Sequence, residues 1–188
     1  FAQTDLKRLV AYTSVSHMGF VLLGAFMWNE RALQGAVLEM ICHALSTGAL
    51  FVIVGSLYER LHTREMSRMG GIWDTAPRLS GAALFFALAS LGLPGLGNFI
   101  AEFLILLGSY PYSAILTALA ALGLVAATVY ALWLVQRVCH GRLQLSAPIP
   151  DLTPRELAVM AALMAPLLWL GFYPQPVFEL ARPAVNAI

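Results

Sequence analysis

The chain has 188 residues, of which 60% are hydrophobic and only 11% charged, with a formal net charge of +1. Its mean hydropathy of +0.77 is too apolar for an ordinary water-soluble domain and marks a polytopic membrane protein. The near-zero net charge carries no message about nucleic acid, and no nucleic-acid partner is expected, since the basic residues are not a patch interleaved with aromatics.

The chain starts at Phe1 and runs almost at once into a helical pattern, which reads as a segment of a longer protein. A first span is expected over about 6–28, with Asp5 as its helix-start residue and Lys7 and Arg8 at the interface; about 20 residues cross the roughly 30 Å hydrocarbon core. Tyr12, Thr13, Ser14, Ser16 and His17 make it more polar than a lipid-facing helix allows, so that face is expected to point into a bundle. A second span is expected over about 32–58. Its middle carries Glu39, Cys42, His43, Ser46 and Thr47, and Glu39 and His43, four residues apart, share a face. Either histidine alone reads as a neutral imidazole packed in a bundle; the Glu39–His43 pair points instead to a proton relay.

Residues 59–78 form the longest polar connection, rich in arginine and punctuated by Gly70, Gly71 and Pro77, and read as a solvent-facing loop. The third span, about 79–109, is interrupted. Pro94 lacks an N–H and crowds the preceding turn, so a first half-helix should end near Ser90 or Leu91. Gly92, Gly95 and Gly97 allow an unwound link, and Asn98 is the expected N-cap of a second half-helix that carries Glu102 in its first turn. Burial there favours the neutral acid and the half-helix dipole favours the anion, a balance suited to loading and releasing a proton. The competing reading is a packing kink, with Glu102 facing a headgroup or a fixed partner. A break beside an intramembrane carboxylate points to function, since such residues are costly and broken helices persist only where freed backbone groups are satisfied.

A fourth span, about 113–138, has little interior polarity beyond Thr117 and Thr128 and reads as structural. The linker His140 to Pro154 leads to a fifth, about 155–172, for which Thr153 and Pro154 are N-cap and first-turn residues and which contains Pro166. The tail from Tyr173 holds three prolines and reads as interfacial at most. The fold class is therefore all-α, one transmembrane domain over 1–188 with about five spans, the third discontinuous. Alternating directions gather Lys7, Arg8, Arg60, Arg64, Arg68, Arg78, Arg137, Arg142 and Arg155 on one side, leaving Arg31 and Arg182 on the other. The positive-inside rule makes the first side cytoplasmic.

Cys42 and Cys139 lie at different depths, which argues against a disulfide. Cys139, His140 and His62 could meet on the cytoplasmic side, but without metal-ligand spacing no metal site is expected. Dinucleotide, phosphate-loop, haem and cluster motifs are absent, so redox chemistry is not expected in this chain.

The segments TDLKRLVAYTSVSHMG (Thr4 to Gly19), GAVLEMICHALS (Gly35 to Ser46), LYERLHTREM (Leu57 to Met66), MGGIW (Met69 to Trp73) and LPGLGNFIAEFLIL (Leu93 to Leu106) resemble the M-type antiporter-like subunits of proton-pumping NADH:quinone oxidoreductase, respiratory complex I. The resemblance covers essentially the whole chain and implies the C-terminal portion of such a subunit, with the broken span in the second of two inverted half-channels. Glu102 stands where L-type and N-type relatives have lysine, and Thr47 where the L-type has lysine; both point to M. The resemblance implies an enzyme subunit without cofactors of its own, since NADH, FMN, iron–sulfur clusters and quinone belong to partner subunits. It further implies L-type and N-type neighbours and a bacterial inner membrane.

Under this reading Glu102 is the terminal proton carrier, with His17 and His43 as relay groups and Glu39 as an exit-side step. Lys7 has either a conformational or entry role or that of a snorkelling interfacial lysine. The rival readings are a subunit of a multisubunit sodium/proton antiporter or related membrane-bound hydrogenase, and a structural membrane-arm subunit that carries no protons.

Overall fold

A computed structural model describes residues 3–141 and 148–185; Arg142, counted above among the one-sided basic residues, lies outside them. The fold is all-helical: α1 (Leu6–Phe26), α2 (Glu30–Leu61), a short α3 (Ile72–Thr75), α4 (Pro77–Ser90), α5 (Gly97–Ser109), α6 (Ala114–Val138), α7 (Pro154–Phe172) and α8 (Gln175–Val185). Four of these, α1, α2, α6 and α7, are long and apolar enough to cross a membrane. With 14 and 13 residues, α4 and α5 reach only about 20 Å each, so neither crosses alone and the two form one interrupted span.

The starts of the long helices are set by local chemistry. Asp5 accepts from the Arg8 N–H, Asn29 from Ala32 and Ser113 from Leu116, each side chain supplying a helix N-terminus with an acceptor. Thr153 and Glu156 close a reciprocal capping box on α7, with Pro154 at the first helical position. By contrast α4 has no cap from its own flanking residue. Asp151, more than seventy residues away, fills that role: its two carboxylate oxygens accept from the Arg78 and Leu79 N–H groups at 3.0 Å each.

At the centre, α2 packs against α1, α4, α5, α7 and α8. At 32 residues it is longer than the 32–58 read from the sequence, and it ends in a left-handed cap at His62. Its buried face is rich in small and short polar residues, Ala32, Gly35, Ala36, Ser46, Thr47 and Ala49, which lets neighbouring backbones approach closely.

Residues 59–78 are not the solvent-facing loop expected. Met66, Met69 and Ile72 are buried in the core, and the Gly71 and Trp73 N–H groups donate to the His140 and Cys139 carbonyls, satisfying the C-terminus of α6. Its arginines and glycines disguise a plug whose three apolar side chains face inward. The linker before α7 is likewise anchored, by buried Ile149 and Leu152. The tail forms an 11-residue helix, α8, too short to cross a membrane; it lies against α2, and its partly buried Val177 and Phe178 pack on the core. Cys42 and Cys139 are free thiols.

Candidate functional site

The break between α4 and α5 is built by local turns. Leu91, Gly92, Leu93 and Leu96 N–H groups all find nearby carbonyls, so much of the interrupted backbone is satisfied within the break itself. Gly92 has φ +75° and Gly95 φ +97°, left-handed conformations that glycine adopts without a Cβ penalty. Pro94 is exposed, while Leu96 and Gly97 are buried. From α7, Gly171 abuts the Gly95 carbonyl so closely that a Cβ there would overlap it, which fixes the break against a neighbouring helix.

Two expectations about this segment are corrected. Leu96, not Asn98, is the N-cap of α5, and it makes no side-chain cap bond. Asn98 lies inside the helix, fully buried, with its amide turned toward the Ser46 hydroxyl at 3.5 Å; it reaches across to α2 instead of back to its own backbone. Glu102 therefore falls beyond the first turn, where the dipole's influence has declined. It still reaches the break. Helical side chains lean toward their own N-terminus, and a Cβ on Gly92 would sit 2.5 Å from Glu102 Oε2.

Glu102 is 2% exposed, as is His17. His17 Nδ1 lies 2.9 Å from Glu102 Oε1, a hydrogen bond between α1 and α5. The same nitrogen is 3.8 Å from Glu39 Oε1, within ion-pair range and beyond hydrogen-bond distance. Among the described residues neither Glu39 oxygen has a hydrogen-bond partner, and the Asn98 carbonyl oxygen has none either. The His43 ring sits 5.3 Å from that of His17, centroid to centroid. Its Nε2 is 2.7 Å from the Ser14 hydroxyl, and the Thr47 hydroxyl lies 3.3 Å from both ring nitrogens.

The fold thus gathers Glu102, His17, Glu39 and His43 from three helices, along with Gly92 and Asn98 of the break. It does not bring Lys7 to them: Lys7 is exposed in the first turn of α1, ten residues and about 15 Å along the helix from His17. Two further groups belong to the cluster although the sequence did not single them out as site residues. Ser14 bonds His43, and Tyr130, from the span read as structural, places its hydroxyl 2.6 Å from His17 Nε2. One signal for Tyr130 was available, since a phenol in the interior of an apolar helix needs a polar partner.

Ligand atoms of His17, Glu39 and His43 lie within 4.8 Å of one another, close enough to hold a metal ion. In the structure both His17 nitrogens and His43 Nε2 are hydrogen-bonded. On the other side His140 stacks on Trp73 and His62 meets the edge of Tyr58, so these two rings are engaged separately.

A buried carboxylate bonded to an imidazole beside a helix break can take up and release a proton without moving heavy atoms far. Comparison with known proteins agrees with the setting. The family described as NADH:quinone oxidoreductase/Mrp antiporter, transmembrane, matches residues 1–129. The chain belongs to this family. NADH-quinone oxidoreductase subunit M of Pseudomonas aeruginosa is 50% identical over 188 residues, which make up 100% of this chain and 37% of that protein. The Escherichia coli K12 protein of the same name is 47% identical over 191 residues, covering 100% of this chain and 38% of the relative.

Among solved structures, respiratory complex I from Thermus thermophilus with bound NADH matches with a TM-score of 0.90 and 36% identity, over 98% of this chain and 40% of that one. The Mrp complex from Dietzia matches with a TM-score of 0.88 over 98% of this chain and 43% of that one; at 18% identity this likeness speaks to fold alone. The chain spans less than two fifths of the length of the curated relatives just described. These matches do not bear out its expected placement in the C-terminal portion of such a subunit.

Proposed function

We propose that this chain forms a proton-relay segment of a membrane-arm subunit of NADH:quinone oxidoreductase, moving protons from the cytoplasm to the outer side while quinone reduction proceeds in other subunits. The observation that carries the reading is the buried Glu102–His17 hydrogen bond at the helix break, in a chain of this family. Protons reach the central cluster by way of His17 and His43, load onto Glu102 and leave toward the outer face, with Glu39 on the exit side. A neutral imidazole has one donor and one acceptor nitrogen, so each histidine passes a proton through by accepting on one nitrogen and releasing from the other. Changes in the charge of neighbouring groups along the arm drive the loading and release.

Lys7 lies outside this cluster, and its place at the end of α1 suits a role at the interface. The redox groups, NADH, FMN, iron–sulfur clusters and quinone, act in partner subunits; L-type and N-type relatives are its neighbours, and the bilayer is a bacterial inner membrane. The basic end of the bundle is the cytoplasmic one by the positive-inside rule.

The test uses membrane vesicles carrying the assembled complex, in which proton pumping is measured beside NADH oxidation. Glu102→Ala is expected to abolish pumping through this subunit, and Glu102→Asp largely to preserve it. Normal pumping by Glu102→Ala at unchanged turnover would make Glu102 structural and refute the relay. A proton flux that depends on sodium and runs without NADH would favour the antiporter reading instead.

A further inference from the structure

His17 is held from both sides. Its Nδ1 meets Glu102 at 2.9 Å and its Nε2 meets the Tyr130 hydroxyl at 2.6 Å, so the three groups form one line across α5, α1 and α6. An ionised Glu102 only accepts, which makes Nδ1 the donor and Nε2 the acceptor of the Tyr130 O–H. Once Glu102 carries a proton and donates it to Nδ1, the ring must hold its own proton on Nε2 and donate to the tyrosine oxygen. A phenol can serve both states because its hydroxyl both donates and accepts. Phenylalanine could serve neither.

Beyond Tyr130 lies a cleft of about 440 Å³ between α1 and α6. Gln3, Tyr12, Thr13 and Ser16 line it from the α1 side, with Ala126 and Tyr130 from α6. Tyr130 is 9% exposed and forms its inner wall, whereas Tyr12 at the rim is largely exposed. The cleft is roomy enough for water and presents an amide and several hydroxyls to hold it. It lies along the N-terminal half of α1, toward the basic end of the bundle.

Resting on the relay reading above, we propose that Tyr130 feeds protons to His17, drawing them from water in the cleft between α1 and α6. In each transfer the Tyr130 O–H bond breaks as a new N–H bond forms at His17 Nε2. The Nδ1–H bond breaks as an O–H bond forms on Glu102. The tyrosine oxygen takes a replacement proton from a hydronium in the cleft, which is left as water, in the same event, so no buried phenolate accumulates. Tyr130 ends each cycle as it began.

The experiment compares Tyr130→Phe, Ala126→Phe and Glu102→Ala in vesicles carrying the assembled complex, reading pumping per NADH oxidised and its solvent deuterium isotope effect. Tyr130→Phe removes only the hydroxyl, and is expected to slow pumping through this subunit by about tenfold or more, as loss of a positioned proton donor does. The residual flux should show a larger isotope effect, which a packing defect would not produce. Ala126→Phe fills the cleft while leaving every relay group intact, and should slow pumping likewise; it decides the matter if Tyr130→Phe fails to assemble. Unchanged pumping and isotope effect in Tyr130→Phe, with Glu102→Ala still inactive, would overturn this inference and leave the relay standing. Slow Tyr130→Phe with normal Ala126→Phe would overturn the cleft as the proton source. Normal pumping by Glu102→Ala would bring down relay and inference together.

Discussion

Glu39 differs from Glu102 in one respect that decides what each can tolerate. Both carboxyls are buried near His17 Nδ1, but only Glu102 is hydrogen-bonded to it, and neither Glu39 oxygen has a partner among the described residues. Glu39→Gln keeps the side chain's size while removing the charge that lies within ion-pair range of His17, so it is expected to slow proton release at a stability cost of about 1 kcal/mol, with the complex still assembled. Loss of assembly in that variant would show the Glu39 carboxyl to be structural. At this scale the sequence was informative about residue types: an intramembrane Glu39–His43 pair and Glu102 stand out by their cost in hydrocarbon. The partnerships were hidden, because the His17–Glu102 and His17–Tyr130 bonds join residues 85 and 113 positions apart, and no spacing rule reaches that far.

At the scale of elements, the helix break depends on Gly92. Its φ of +75° disfavours any side chain, and a Cβ there would press on Glu102 Oε2. Gly92→Ala is expected to cost about 1–2 kcal/mol of stability and to push the carboxyl off His17, so that pumping falls together with the melting temperature. Unchanged pumping would mean that the break does not position Glu102. Pro94 and the glycines marked the place of this break in the sequence, because their backbone constraints are local. The start of α5 was misjudged because Asn98 suits two environments, a cap and a buried helix–helix contact, and the Ser46 hydroxyl that draws it inward lies on α2. The inward turn of Met66, Met69 and Ile72 was obscured for the same reason, since what buries them is the end of α6 and not any neighbour in sequence.

For the whole molecule, one end of the bundle is tied by a polar clamp. Arg60 at the end of α2 donates to both carboxylate oxygens of Glu156 on α7, at 3.0 and 2.9 Å, and to the Pro150 and Asp151 carbonyls, while Asp151 caps α4. Burial alone would raise the Asp151 carboxyl, but the N–H groups of Arg78, Leu152 and Leu79 together hold it below its ordinary 3.8. A carboxyl depressed in the folded state contributes its full stability above the unfolded value and loses it as pH falls through the folded one. The cap should thus be intact above about pH 4 and fade below it. Asp151→Ala is expected to cost about 1 kcal/mol at neutral pH and to flatten the decline in melting temperature as pH falls below about 4. An unaltered acid limb in that variant would contradict the cap. Elsewhere the molecule presents apolar surface, with Ile115, Leu119, Leu122 and Val125 exposed along the first half of α6. Hydropathy showed that face to be apolar; what covers it is not encoded in a single chain.

The most direct test of the relay is to observe the proton on Glu102. Infrared difference spectra of the assembled complex, recorded between resting and turning-over states, should contain a carboxylic acid C=O band that is missing from Glu102→Gln. Its appearance should coincide with perturbation of an imidazole band that is lost in His17→Ala. A difference spectrum with the same carboxyl bands in Glu102→Gln as in the unmodified complex would show that Glu102 keeps one protonation state throughout, and would contradict the account.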